Sequence, residues 1–151
     1  MNYQIMKYGF LLLAMSMLTA CSNTPTCSSE ETQALVKEVA IDRIRDVLAT
    51  RLSPYAGPQS YKFFKSDANN SGIQELVRQV DSIVEKTQFL IQDIRTLSSS
   101  DPRQALCAAT FSTVGLKNHQ ALMIQDINIE VTYSAQYSDD GKTLHVNVEG
   151  L

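Results

Sequence analysis

The apolar positions of the chain first recur with the period of a helix and later with the period of a strand. Between Ser28 and Leu52, Val36, Ala40, Ile44, Val47 and Leu48 fall on one face at helical spacing, which predicts an amphipathic helix. Ser28 followed three residues later by Glu31 forms a capping box, and acids in the first turn suit the positive end of the helix dipole. Pro54 and then Gly57-Pro58 end that helix near Leu52. A second stripe, Ile73, Leu76, Val77, Val80, Ile83 and Val84, predicts a helix that starts at Ser71, with Glu75, Arg78, Gln79, Asp81 and Glu85 on its other face. In the last third the period becomes two. Ile127, Ile129, Val131, Tyr133, Ala135 and Tyr137 alternate with Asn128, Glu130, Thr132, Ser134 and Gln136. After Ser138–Lys142, Leu144, Val146 and Val148 alternate with His145, Asn147 and Glu149. This is a hairpin with one dry and one wet face, joined through Asp140-Gly141 as a type I′ turn or a bulge-containing loop.

The middle of the chain is less regular. Phe89, Leu90, Ile91 and Ile94 fit a continued helix or a strand; the strand over Gln88–Leu97 is preferred, because Ser98–Pro102 then makes a hairpin-like connection. Gln104–Val114 is the partner strand, with Cys107, Ala109 and Phe111 on one face, and Gly115–His119 is the turn after it. A sheet with one dry face needs a cover, and two amphipathic helices supply one. The expected fold is α+β: two amphipathic helices packed on one face of an antiparallel sheet of about four strands. Residues 53–70 lack a clear period, and Tyr61–Lys65 fits a short edge strand. Tyr55, Tyr61, Phe63 and Phe64 lie in this stretch. Two readings are open: the rings pin the segment to the core, or they form a partner-facing aromatic patch.

The N-terminal segment has a different logic. Lys7 is the only charge in the first twenty residues, and Phe10–Leu18 is apolar but too short to span a bilayer, which takes about 20 residues. It runs into Leu18-Thr19-Ala20-Cys21. This arrangement resembles the signal and lipobox of bacterial lipoproteins. The resemblance implies that residues 1–20 are removed, that Cys21 carries lipid, and that the protein is anchored in the cell envelope. Met1 and Met6 both fit as starts. Ser22 stands where Asp would resemble an inner-membrane retention mark, so the resemblance points to the periplasmic leaflet of an outer membrane in a Gram-negative host. Residues 21–27 would then be lipidated Cys and short tether, with a reach on the order of 20 Å, and residues 28–151 a single envelope domain.

If Cys21 carries lipid, Cys27 and Cys107 remain as a pair in an oxidising compartment, and a disulfide is expected between them. A redox thiol or a metal site is the alternative, but neither C-x-x-C nor ligand-spaced histidine accompanies them. Removing Lys7 with the signal takes Lys plus Arg from 13 to 12 against 16 acids, and the net charge from −3 to −4. Arg43, Arg45 and Arg51 are interleaved with Asp42 and Asp46, so no nucleic-acid partner is expected. No nucleophile elbow, zincin helix, phosphate loop or dinucleotide fingerprint is present. His145 and the acids Asp139 and Asp140 read as ordinary surface and turn chemistry. The expectation is a binding or accessory protein (inhibitor, immunity or complex-subunit type) without cofactor or metal, held by the membrane through Cys21 and facing an envelope protein. A small envelope hydrolase and a structural lipoprotein of a larger assembly are the alternatives.

Replacing Cys21 with Ser is expected to abolish metabolic palmitate labelling and release the protein from the membrane fraction. A Cys21→Ser protein that stays membrane-bound and uncut would contradict the lipobox reading.

Overall fold

A computed structural model describes residues 24–53, 61–66, 70–97, 101, 103–119 and 124–151. Three helices, α1 (Glu30–Leu52), α2 (Tyr61–Ser66) and α3 (Ser71–Glu85), precede a four-stranded antiparallel meander. The strands are β1 (Gln88–Leu97), β2 (Gln104–Val114), β3 (Asn128–Tyr137) and β4 (Leu144–Glu149), and they lie in that order across the sheet. The fold is therefore α+β, with α1 laid over the sheet and α2 and α3 beside it.

The buried side of α1 is Thr32, Val36, Ala40, Ile44, Leu48 and Ala49. Val47, expected on that stripe, is 54 % exposed. The buried set steps mainly by four residues and drifts slowly round the helix, and Val47 falls off its edge. The cap also sits one residue later than the capping box predicts. Ser29, not Ser28, is the N-cap: its Oγ accepts from the Thr32 amide at 3.1 Å and donates to Thr32 Oγ1 at 2.7 Å. Thr32 is fully buried, and that reciprocal pair satisfies its polar groups. Asn70 caps α3 through its side-chain oxygen, which accepts from Gly72 and Ile73 amides. At the other end Thr87 donates its buried hydroxyl to the Ile83 carbonyl at 2.8 Å as the chain leaves for β1.

Residues Tyr61–Ser66 form a helix, not the short edge strand that the sequence allows. The reason is spacing: Tyr61 and Phe64, three apart, are both buried, while Phe63 is exposed. A strand would put Tyr61 and Phe63 on the same face. The Asp46 carboxylate of α1 accepts the Tyr61 amide and so caps this short helix.

The dry face of the sheet carries Phe89, Cys107, Ala109, Phe111, Val131, Tyr133, Ala135 and Leu144, all buried in one cluster with α1 and α3. Phe89 and Phe111 stack with centroids 6.3 Å apart. β1 keeps its register with β2 from Gln88 to Gln92 and then shifts by one residue before Arg95. The extra residue is a bulge at Asp93, whose φ of 51° is left-handed. Asp tolerates that backbone better than most residues, and its carboxylate accepts from Thr110 Oγ1 at 3.3 Å. The β2–β3 connection is closed at its base by Thr113, whose amide donates to the Ile127 carbonyl and whose Oγ1 accepts the Ile127 amide, both at 2.9 Å. Gly115 is left-handed at φ 110°, and a Cβ there would lie 3.2 Å from the Lys86 carbonyl oxygen. The β3–β4 loop spans Ser138–Thr143: Ser138 and Thr143 pair, Gly141 donates to the Ser138 carbonyl, and the loop is longer than a two-residue type I′ turn.

Cys27 and Cys107 are bonded, with Cα atoms 5.7 Å apart. Cys27 also meets the strands on either side of β2. Thr96 Oγ1 of β1 lies 3.5 Å from its sulfur, and Tyr133 Oη of β3 donates to its carbonyl at 2.9 Å. Thr96, Cys107 and Tyr133 are register neighbours, so one transverse row of the sheet holds the residue that leads into α1.

Replacing Cys27 and Cys107 together with Ala is expected to lower stability by about 2–5 kcal/mol, read as a fall in urea midpoint. An unchanged midpoint would mean that the row of packing and hydrogen bonds holds α1 without the covalent link.

Candidate functional site

The described residues place unusual polar chemistry where α1, α2 and α3 meet. Lys62 Nζ of α2 lies 2.9 Å from Asp42 Oδ2 of α1, and Arg45 Nη1 lies 3.1 Å from Asp42 Oδ1. Arg45 Nε is 3.6 Å from Asp81 Oδ1 of α3, an ion-pair distance beyond hydrogen-bond reach. The four groups make a ladder of alternating charge across three helices. Its elements follow from local structure. Asp42 and Arg45 are three apart on one helix, so they face each other, and the buried rings of Tyr61 and Phe64 dock α2 so that Lys62 comes within reach of Asp42.

Tyr61 sits inside this ladder. It is only 4 % exposed, with the Arg45 guanidinium 5.7 Å and the Lys65 ammonium 5.9 Å from its ring centroid. Its hydroxyl is buried without a hydrogen-bond partner among the described residues. Burial pushes the Tyr61 hydroxyl far above its ordinary value, and the nearby Asp81 carboxylate pushes in the same direction. The phenol therefore stays protonated. Asp42 shifts the other way. Partial burial raises it, but the contacts with Lys62 and Arg45 outweigh that and hold its carboxyl below the usual range.

On the two sides of Tyr61 and Phe64 the surface is concave and open. One depression is lined by Val39, Asp42, Arg43, Asp46, Tyr61 and Lys62, the other by Phe64, Lys65, Val77, Arg78, Asp81 and Glu85. Phe63, within α2, is 54 % exposed, edge-on to Phe64 at 6.2 Å and flanked by exposed Lys62 and Lys65.

The four-ring patch of the sequence reading does not form as a set. Tyr61 and Phe64 are core residues, Phe63 alone of the described three is exposed, and Tyr55 lies outside the described residues, as does Cys21. Tyr61 and Phe64 pin α2 to the core. The ion ladder is not legible in the sequence because its halves are distant along the chain: Asp81 lies on the polar side of the α3 pattern, and nothing local says that Arg45 will reach it.

The open face of the sheet also departs from expectation. Its β3–β4 half is polar, with Asn128, Glu130, Thr132, Ser134, Gln136, His145, Asn147 and Glu149. The β1–β2 half adds Leu97 opposite Leu106 and, further along, Val114; Leu106 and Val114 are exposed. The outward positions of Gln104–Val114 thus include apolar residues, unlike those of β3. Arg95 Nη2 and Glu130 Oε2 meet at 2.6 Å across β2, and Ala108 is only 2 % exposed although it faces outward. His145 is exposed on β4, and Asp140 is held in its loop by Ser138 and Lys142. Among the described residues no group of three or more His, Cys, Asp and Glu is placed to hold a metal ion, and no helix is long and apolar enough to cross a membrane.

Because Asp42 titrates below its ordinary value of 3.8, its contribution to stability is present above that value and is lost as the pH falls through the lowered one. Asp42→Asn is expected to cost about 0.5–1 kcal/mol at neutral pH. In an acid titration of melting temperature, the gap between the two proteins should close below the ordinary carboxylate range. A gap that persists unchanged at low pH would show that the ladder contributes through packing and not through charge.

The chain matches no protein-family model, and no curated protein or solved structure shows a significant similarity to it.

Proposed function

We propose that this is a lipid-anchored accessory protein of the cell envelope that acts by binding an envelope protein rather than by catalysis. The observation that carries the reading is the arithmetic of the cysteines. The chain has three, and the bond between Cys27 and Cys107 leaves over Cys21, which ends the lipobox-like run six residues before Cys27. A leftover cysteine at that place is what lipidation chemistry requires. Several acyl chains hold a domain durably at a membrane, at about 0.8 kcal/mol per buried methylene.

The fold supports a defined orientation for such a domain. The tether enters at the sheet row of Cys107, and α1 then runs away from it. From Glu30 to Asp46 the helix rises about 24 Å. The N-terminus of α2 is docked on Asp46 and so lies toward the end of α1 opposite the tether. Phe63 and its flanking lysines would then point away from the anchor, toward a partner in the envelope space.

Recovery of partners from detergent-solubilised envelope is expected to yield one specific protein with the native chain and none with Phe63→Ala. Phe63→Ala should change stability by about 0.5 kcal/mol or less, being an exposed truncation. Phe64→Ala should cost about 3–5 kcal/mol, because it empties a core site. Equal recovery by Phe63→Ala and the native chain would remove Phe63 as the binding site.

A further inference from the structure

The two edges of the sheet are built differently. β1 carries the Asp93 bulge and Arg95, which disturb and charge its edge, the usual protection against pairing with another strand. β4 has no bulge, proline, lysine or arginine, and pairs with β3 in unbroken register from Tyr137↔Leu144 to Thr132↔Glu149.

The direction of its free groups follows from the hairpin. Ser138 donates to the Thr143 carbonyl at 2.7 Å, and these two residues continue the β3–β4 register. Hydrogen-bonded and non-hydrogen-bonded pairs alternate along an antiparallel ladder. His145, Asn147 and Glu149 therefore turn their amides and carbonyls toward β3. Leu144, Val146 and Val148 turn theirs outward, where no described strand meets them.

We propose that β4 is a homodimer interface: a second copy of this chain pairs antiparallel with it and extends the four-stranded sheet to eight. The side chains choose both the partner and the register. With Asn147 opposite its own copy on the two-fold axis, His145 faces Glu149 of the other chain, and the same pair recurs on the other side of the axis. Val146 faces Val148 on the dry face, and these pairs carry the outward amides and carbonyls. A slip of two residues either way sets Asn147 against His145 or Glu149 and loses both His–Glu pairs. The strand is thus complementary to itself in one register, as an isologous contact requires.

The test uses the full chain in detergent with a mild thiol oxidant, and the unsubstituted chain as reference. Asn147→Cys is expected to give a disulfide-linked dimer on a non-reducing gel, with a peptide map placing the new bond at position 147, since facing residues of a non-hydrogen-bonded pair lie within disulfide reach. His145→Cys is expected to stay monomeric, because position 145 of one copy is about 13 Å along the strand from position 145 of the other. Adding Val146→Pro to Asn147→Cys should cut the dimer about tenfold. It removes an outward amide and leaves the β3 ladder whole, and an unchanged circular dichroism spectrum shows the domain still folded. A charge test needs no new cysteine: His145→Glu should dissociate the dimer in sedimentation, and His145→Glu with Glu149→His should restore it. The proposal is overturned if Asn147→Cys gives no more dimer than the reference chain. It is equally overturned if His145→Cys cross-links as well, or if the exchanged pair fails to restore association.

Discussion

One row of side chains, Thr96, Cys107 and Tyr133, holds Cys27 against the centre of the sheet, and the arrangement of the helices depends on it. Cys107 is fully buried in β2, so the covalent link ends in the middle of the core and not at its margin. The chain-entropy model assigns a closed loop of this length, 80 residues of separation, about 4.5 kcal/mol. The Tyr133 hydroxyl adds direction to the link. By donating to the Cys27 carbonyl from a buried position, it fixes the backbone three residues before α1 begins. The path of α1 over the sheet is set there, and α2 and α3 are placed in turn by what α1 presents to them.

Beside the apolar residues that α1 shares with the other helices in the core, it presents charge to them. Asp46 caps α2, Asp42 reaches Lys62, and Arg45 reaches Asp81 of α3. Exposed ion pairs of this kind contribute little each. They matter here because α2 has only six residues and cannot hold itself as a helix. Two buried rings and one borrowed cap hold it, and the same docking leaves Phe63 projecting. The cost is visible in Tyr61, whose hydroxyl is buried without a hydrogen bond among the described residues.

The strands and the two long helices were legible in the chain because each carries a local signal that tertiary structure did not overrule. Gln88–Leu97 and Gln104–Val114 have the predicted bounds, and the stripe of α3 is the one read from Ile73 to Val84. Small displacements, Ser29 for Ser28 and Ala49 for Val47, are cases where residues a position or two apart compete for the same place in a one-dimensional pattern. The contact with Thr32 and the drift of the helix face decide between them. The α2 segment was illegible for a different reason. Six residues give too few positions for a period to show, and its cap comes from a residue fifteen positions earlier.

By itself, then, the sequence determined what depends on neighbours within a few positions: helical and strand period, the dry and wet faces of β3 and β4, and the turn residues. Three cysteines alone do not fix a pairing, and the structure bonds Cys27 to Cys107. Tertiary structure alone decided that Tyr61 and Phe64 are core while Phe63 is surface, that Arg45 lies between Asp42 and Asp81, and that β1 bulges while β4 stays flat. These depend on which elements pack side by side. That is set by burial of apolar surface over the whole chain, and no local window of sequence contains it.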